Sequence, residues 1–265
     1  MCPPAHAWAS RLHENIVSLA IQALPPSPLA DIFSKNDVKL EQYAVEPDSV
    51  LKPRLGKSEE IKHYIDIELY RPGEFDALTP EYNEMVRKYG LNMLLRSGTL
   101  PWAIEDEAVK LRDAWDNHDC AGALRHAGYL AHYVADASQP LHSTIYYDGY
   151  PEDKGIHQRI ERAADDNAQS LWRESRERVS ATEIGTVWPA IITELRDAHS
   201  HVEELIQADR DARASAKDDQ EQYDKLLIES CRHMFDNQIA QAASVLASIW
   251  IFEWKAGGSP DQCKP

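Results

Sequence analysis

An all-α protein, folded as a single-domain multi-helix bundle, is what this sequence predicts. Three observations carry that expectation. Apolar residues recur three and four apart through most of the chain, the spacing that lines one face of a helix. Alternating Val/Ile-rich runs, which half-buried strands need, are nearly absent. Glycines number only 11 in 265 residues, few for the turns of a sandwich or barrel. With 43% hydrophobic and 27% charged residues, the composition is that of an ordinary folded chain, long enough for one large core.

Leu12, Ile16, Leu19, Ala20 and Ala23 set the first helix, which Pro25, Pro26 and Pro28 end. Residues 41–79, with Pro47, Pro53 and Pro72, read as an irregular charged stretch holding short helical pieces such as 59–67. A helix over 80–97 closes at Ser97-Gly98, and Pro101 opens another reaching about Asn117. The next spans about 120–137 and is broken by Pro140. Residues 143–154 form a Tyr-, Gly- and Pro-bearing loop. Helices follow at about 155–178, 182–213 and 218–254, the last striped by Ile228, Cys231, Phe235, Ile239, Ala242, Leu246 and Ile249. The charged run from Glu203 to Asp224 reads as a solvated face and turn, and residues 257–265 as a frayed tail.

Lys and Arg total 28 against 44 Asp and Glu, a net charge of −16. That acidity weighs against a protein that reads duplex DNA. It does not exclude a site where bound metal meets a phosphate, because metals can reverse the local sign. No run of eighteen apolar residues exists, so no segment reads as a membrane span. Cys2, Cys120, Cys231 and Cys263 show no CxxC spacing, and spacing leaves open which of them pair. Ala5-His6-Ala7 has the small-x-small form of a signal-peptidase site, with cleavage expected before Trp8, although the usual charged and apolar regions upstream are missing.

The strongest local signal is His132-Tyr-Val-Ala-Asp136-Ala-Ser-Gln-Pro140-Leu-His142. His132 and Asp136 are four apart, so a helix puts both on one face, able to share a cation. Pro140 ends that helix, and His142 enters just beyond it. His157 and Glu161 repeat the same spacing at the start of the next helix. Histidine and carboxylate ligands suit zinc, and pairs borne on helices hold it rigidly. A lone His-x3-Asp pair is more often a surface contact. Two pairs flanking a Pro-Leu-His within thirty residues are much harder to dismiss.

The segment HYVADASQPLH resembles the hallmark of the zinc-dependent phospholipase C and zinc single-strand nuclease superfamily, which is all-α with three zinc ions in a cleft. The resemblance extends from Trp8 to Glu161 and implies a ligand set. Asp48 and His63, together with His132 and Asp136, would hold the first zinc. His142, His157 and Glu161 would hold the second. His13, Asp136 and the free amino group and carbonyl of Trp8 would hold the third. An amine can chelate in this way only once residues 1–7, a signal-peptide remnant, are removed, leaving residues 8–256 as the mature domain. The chain would therefore be secreted or periplasmic. Glu161, and the fifteen-residue gap between His142 and His157, look like the phospholipase branch; Trp8-x4-His13 and the HYID around His63 lean to the nuclease side.

The implied chemistry is phospholipase C-like: a metal-bridging hydroxide attacks phosphorus in line, with Asp48 as a catalytic group that orients the water or takes its proton. Asp66, Tyr146 and Tyr147 are candidate substrate contacts, the tyrosines through cation–π packing or base stacking. The alternative for all three is a surface or packing role. The alternatives are a single-strand-specific zinc endonuclease releasing 5′-phosphorylated products and a non-catalytic zinc-binding helical protein. Either enzyme would work as a monomer on its phosphodiester substrate. His118-Asp119, the dipeptide of another metal-phosphohydrolase class, sits in a polar turn without partners. His126, His199, His201 and His233 read as surface residues, and neither a Gly-rich phosphate loop nor a nucleophile-elbow serine occurs.

Overall fold

A computed structural model describes residues 10–262. They form helices throughout, with no strand among the described residues. The elements are α1 (Ser10–Ala23), α2 (Pro28–Ser34), α3 (Asp37–Glu46), the short α4 (Lys52–Leu55) and α5 (Lys57–Glu60), α6 (Tyr82–Tyr89), α7 (Leu91–Ser97), α8 (Leu100–Asp116), α9 (Cys120–Ser138), α10 (Ile156–Asp166), α11 (Ala168–Ser175), α12 (Val187–Ser200), α13 (Val202–Ala216) and α14 (Gln220–Ala256).

The all-α expectation holds, with differences of detail. The stretch expected over 80–97 is two helices interrupted at Gly90, and that over 155–178 is interrupted at Asn167. Residues 41–79 are more ordered than composition suggested. Helix α3 runs to Glu46, a π-helical turn spans Pro47–Leu51, and 3-10 turns cover Ile61–His63 and Ile67–Tyr70. Turns this short leave little periodicity to read. The charged run after Glu203 is not wholly solvated either. Asp209 is buried, gripped at 2.9 and 2.7 Å by Arg159 and accepting from the Tyr223 hydroxyl at 2.7 Å. This network ties α10 to α13 and α14. After α14 the chain turns back, and Trp254 Nε1 donates to Pro260 O at 3.3 Å. Cys120 is in a disulfide whereas Cys231 is free and buried, so these two do not pair with each other.

Helix α9 is the hub. Its small residues let other helices crowd it on most sides, and α3, α8 and α14 all pack there. Trp250 of α14 donates its indole N–H to Ala127 O and meets Phe33 edge-on at 4.7 Å. Gly128 shows how close α3 comes: a Cβ there would stand 2.3 Å from Tyr43 Cβ. That approach brings Ala44 O to within 2.7 Å of His132 Nδ1. Close helix packing thus orients a site residue one turn further on.

Gly98 has a comparable role, at φ +83 with the position of a Cβ only 2.1 Å from Tyr64 O. Around it the backbone of 97–100 clamps 61–66, through Asp66 N to Ser97 O and Thr99 N to Ile61 O, both at 2.6 Å. We expect Gly98→Ala to destabilise the protein by roughly 2–3 kcal/mol, from the left-handed backbone and the clash together. Urea denaturation measures this; a change under about 0.5 kcal/mol, within the scatter of surface substitutions, would remove the clamp from the account.

Candidate metal centre

Three sets of buried side chains bring ligand atoms within 4.8 Å of one another: His13, His132 and Asp136; Asp48, His63 and His132; and His142, His157 and Glu161. They come from α1, the π-helical turn, the 61–63 turn, α9, the Pro140–Ser143 turn and α10. His132 belongs to both of the first two sets, and Asp136, a member of the first, reaches across to His63 of the second. Asp136 Oδ2 is 3.0 Å from His63 Nδ1 and 3.4 Å from His132 Nε2, and its Oδ1 is 3.7 Å from His13 Nε2 and 4.0 Å from His142 Nδ1. His63 Nδ1 also lies 3.6 Å from Asp48 Oδ1. The His13 ring stacks on His132 at 4.2 Å.

The imidazoles are oriented from behind. His132 Nδ1 donates to Ala44 O, His142 Nδ1 to His63 O, and His157 Nδ1 to Tyr147 O, at 2.7, 2.5 and 3.1 Å. A carbonyl can only accept, so each Nδ1 carries the proton and each Nε2 turns toward the cluster. His142 Nε2 and His157 Nε2 then face each other at 3.2 Å, with Glu161 Oε1 2.6 Å from His157. Two lone pairs and a carboxylate at that range repel unless a cation stands among them.

The electrostatics make the same demand. Burial, reinforced by the charge of Asp48, pushes the Asp136 carboxyl well above its usual range. Burial lowers His132 to about 4, and also lowers His63 and His142. His157 is the exception: burial works to lower it, but the Glu161 carboxylate raises it overall. Without a metal, a proton on His157 is the available cation. Asp136 Oδ1 and His63 Nε2 are buried without a hydrogen-bond partner. Donors of this kind and placement fit zinc.

Asp48, His63, His142 and His157 also line a cleft of about 640 Å³, with Asp66 and Tyr147 on its wall. Tyr146 is not among the lining residues; it packs against Tyr150 at 4.7 Å. Trp8 and residues 1–7, with the expected cleavage site, lie outside the described residues. Among the histidines read as surface residues, His126 pairs with Glu107 at 2.7 Å and His201 with Glu204 at 3.0 Å, while His199 Nδ1 donates to Ser143 O at 3.0 Å.

Several residues at the site were missed in the sequence. Lys52 reaches Asp48 at 3.1 Å, and with Lys57 and Tyr64 it lines the cleft. Glu59 is fully buried 3.9 Å from His63 Nε2, held by Lys62 at 2.8 Å and by the Tyr133 hydroxyl. It stands where a His63 Nε2–H would point once Nδ1 gave its lone pair to a cation. Both Lys52 and Glu59 are four residues from a ligand candidate, a signal that was there to read.

A family model described as zinc dependent phospholipase C matches residues 12–238. The solved alpha toxin from Clostridium absonum aligns with a TM-score of 0.56 at 14% identity, over 96% of this chain and 65% of that one. At such identity the likeness speaks for the fold alone. A probable serine protease of Bradyrhizobium tropiciagri is 45% identical over 58 residues, 21% of this chain. The chain thus spans about two-thirds of the toxin and 7% of the protease.

Proposed function

Because the chain belongs to the zinc-dependent phospholipase C family, we propose that its cleft hydrolyses the phosphodiester bond of a phospholipid. His13, Asp48, His63, His132, Asp136, His142, His157 and Glu161 are the proposed metal ligands. The observation that carries this reading is the convergence of three buried His/carboxylate sets beside one open cleft. Sets of three leave coordination positions for substrate and water, whereas structural zinc sites are closed with four.

Zinc bound there would polarise a phosphoryl oxygen and bring the ionisation of water close to neutral pH. The chain's own side chains do the rest. Asp136 has an oxygen toward each of two sets, so it can serve both; His132 has one free nitrogen and can serve only one. Asp48 is placed at the cleft edge to orient a water. The Lys52 ammonium beside it offsets the charge of an incoming phosphate. Three ions, with the Trp8 amine freed by removal of residues 1–7 on export, complete the proposal. The amino-terminal residue of exported protein tests that step.

Asp66 is the cleft carboxyl suited to proton transfer near neutral pH. Burial, then the charge of Glu68, raises it to about 7. If it protonates the leaving oxygen, kcat falls as pH rises through 7 and the carboxyl empties. We expect Asp66→Asn to lower kcat by roughly 10²-fold and to abolish that limb of the pH profile. A retained limb would remove Asp66 from proton transfer.

The deciding assay is hydrolysis of phosphatidylcholine by zinc-loaded protein, with release of phosphocholine and diacylglycerol that a chelator stops. The comparisons lend no support to the nuclease alternative. Cleavage of single-stranded DNA without lipid hydrolysis would reverse the assignment, and hydrolysis of neither would leave a zinc-binding protein without catalysis.

A further inference from the structure

Residues 50–57 read VLKPRLGK, with three cations, three aliphatic side chains and no acid, in a chain of net charge −16. The fold turns this segment outward. Val50 is 46% and Leu55 45% exposed, and Arg54 and Lys57 are exposed as well. Lys52, Pro53, Gly56 and Lys57 line the cleft, so the segment forms part of its rim. Tyr147 lines the same cleft, and it and Ile145 are also exposed large apolar side chains. The loop carrying them is fastened, because Glu68 accepts from both the Thr144 hydroxyl and Ile145 N. Scattered exposed aliphatics are ordinary. Several beside one opening, interleaved with cations, need an explanation.

We propose that Val50, Arg54, Leu55 and Ile145 form a docking face that seats the mouth of the cleft on an anionic lipid surface. The purpose of this contact rests on the reading of the site as a phospholipid hydrolase; the contact itself is measurable apart from it. Aliphatic side chains on a rigid rim enter the headgroup layer, and neighbouring cations meet the negative surface potential. An acidic protein is repelled by such a surface in most orientations. Presenting this acid-free segment brings Arg54 nearest the lipid, beside Lys52 and Lys57, which pair with Asp48 and Glu60, while distant carboxylates are screened beyond about 10 Å. Docking and delivery of the headgroup to the cleft are then one event.

The test uses zinc-loaded protein and a triple variant, Val50→Ser, Arg54→Glu and Leu55→Ser, none of which lines the cleft. Binding is read by co-sedimentation with vesicles of phosphatidylcholine plus phosphatidylserine, and of phosphatidylcholine alone. We expect the wild type to prefer the anionic vesicles and to lose binding with added salt. The triple variant should bind them roughly tenfold more weakly or worse. Its melting temperature, zinc content and kcat/KM on a short-chain phosphatidylcholine below micellar concentration should match the wild type. Ile145→Ser, two residues before the cleft-lining Tyr147, should weaken vesicle binding by itself and guards against misfolding of the triple variant. Wild type that pellets with neither vesicle, or variants that bind as it does, would overturn the proposal. If the variant loses vesicle binding but no lipid is ever hydrolysed, the docking face stands and the hydrolase assignment falls.

Discussion

Asp136→Asn is expected to lower phosphodiester hydrolysis by roughly 10³-fold or more and to release at least one metal ion per chain. The carboxylate belongs to one of the three sets and reaches a second, with oxygens 3.0 Å from His63, 3.4 Å from His132 and 3.7 Å from His13. An amide of the same shape keeps one oxygen but replaces the other with an N–H₂, which meets the imidazole nitrogens as a donor and carries no charge. Two positive ions would then lose their shared anion in a buried setting, where an uncompensated charge is most costly. Helix α9 keeps its packing, since shape and volume are unchanged, so circular dichroism should match the wild type. Metal content and kcat together report the effect. Activity within tenfold of wild type would displace Asp136 from the centre of the site.

Stripping zinc is expected to weaken the fold and make it sensitive to acid. A cation bound only by the native chain stabilises it by mass action, so saturating zinc should raise the melting temperature by roughly 10 °C. In the stripped protein, burial holds His132 down at about 4 and keeps His63 and His142 low as well. Below about pH 6.5 the unfolded imidazoles take up protons while the native ones stay neutral. Stability is therefore fully present above that pH and falls as pH drops toward 4. Asp136 works in the opposite direction, because its raised value keeps the native carboxyl protonated and favours the fold at the acid end. It offsets part of the histidines' effect. His157, raised by Glu161 against the effect of burial, has its stabilising proton in place throughout that window and loses it only at higher pH. Glu161 is lowered because His157 and His142 outweigh burial, and its loss comes at more acid pH. The remaining balance is a net fall in stability between pH 7 and pH 5, carried by the lowered His132, His63 and His142. Urea midpoints at the two pH values measure it, and His132→Gln should reduce the slope. A stripped protein equally stable at both would mean that these histidines are not buried neutral.

Much of this centre was legible because helices write their geometry into spacing. His132 with Asp136, and His157 with Glu161, are four apart, and that interval alone puts each pair on one face wherever the helix lies. Pro140 signalled the end of α9 and so the entry of His142. The placing of Asp48, His63 and His13 among the ligand candidates came from resemblance to a family pattern. No local spacing connects residues so far apart in the chain. Tyr146 and Tyr147, adjacent in sequence, diverge in the structure, one packing on Tyr150 and the other reaching the cleft. Composition cannot separate two such neighbours in a loop.

What the amino-acid order determined by itself was the helical class and the paired ligand candidates within single helices, because both depend on contacts three or four residues apart. Tertiary structure decided what no local rule reaches. The Gly128 contact brings α3 against α9 and aims His132, the Gly98 clamp sets the 61–66 backbone that carries His63, and Glu59 is buried behind that ring. Bringing α1, the 47–51 turn and α9 to one point requires a packed core, and only there do donors that would repel one another in isolation form groups that could hold a cation.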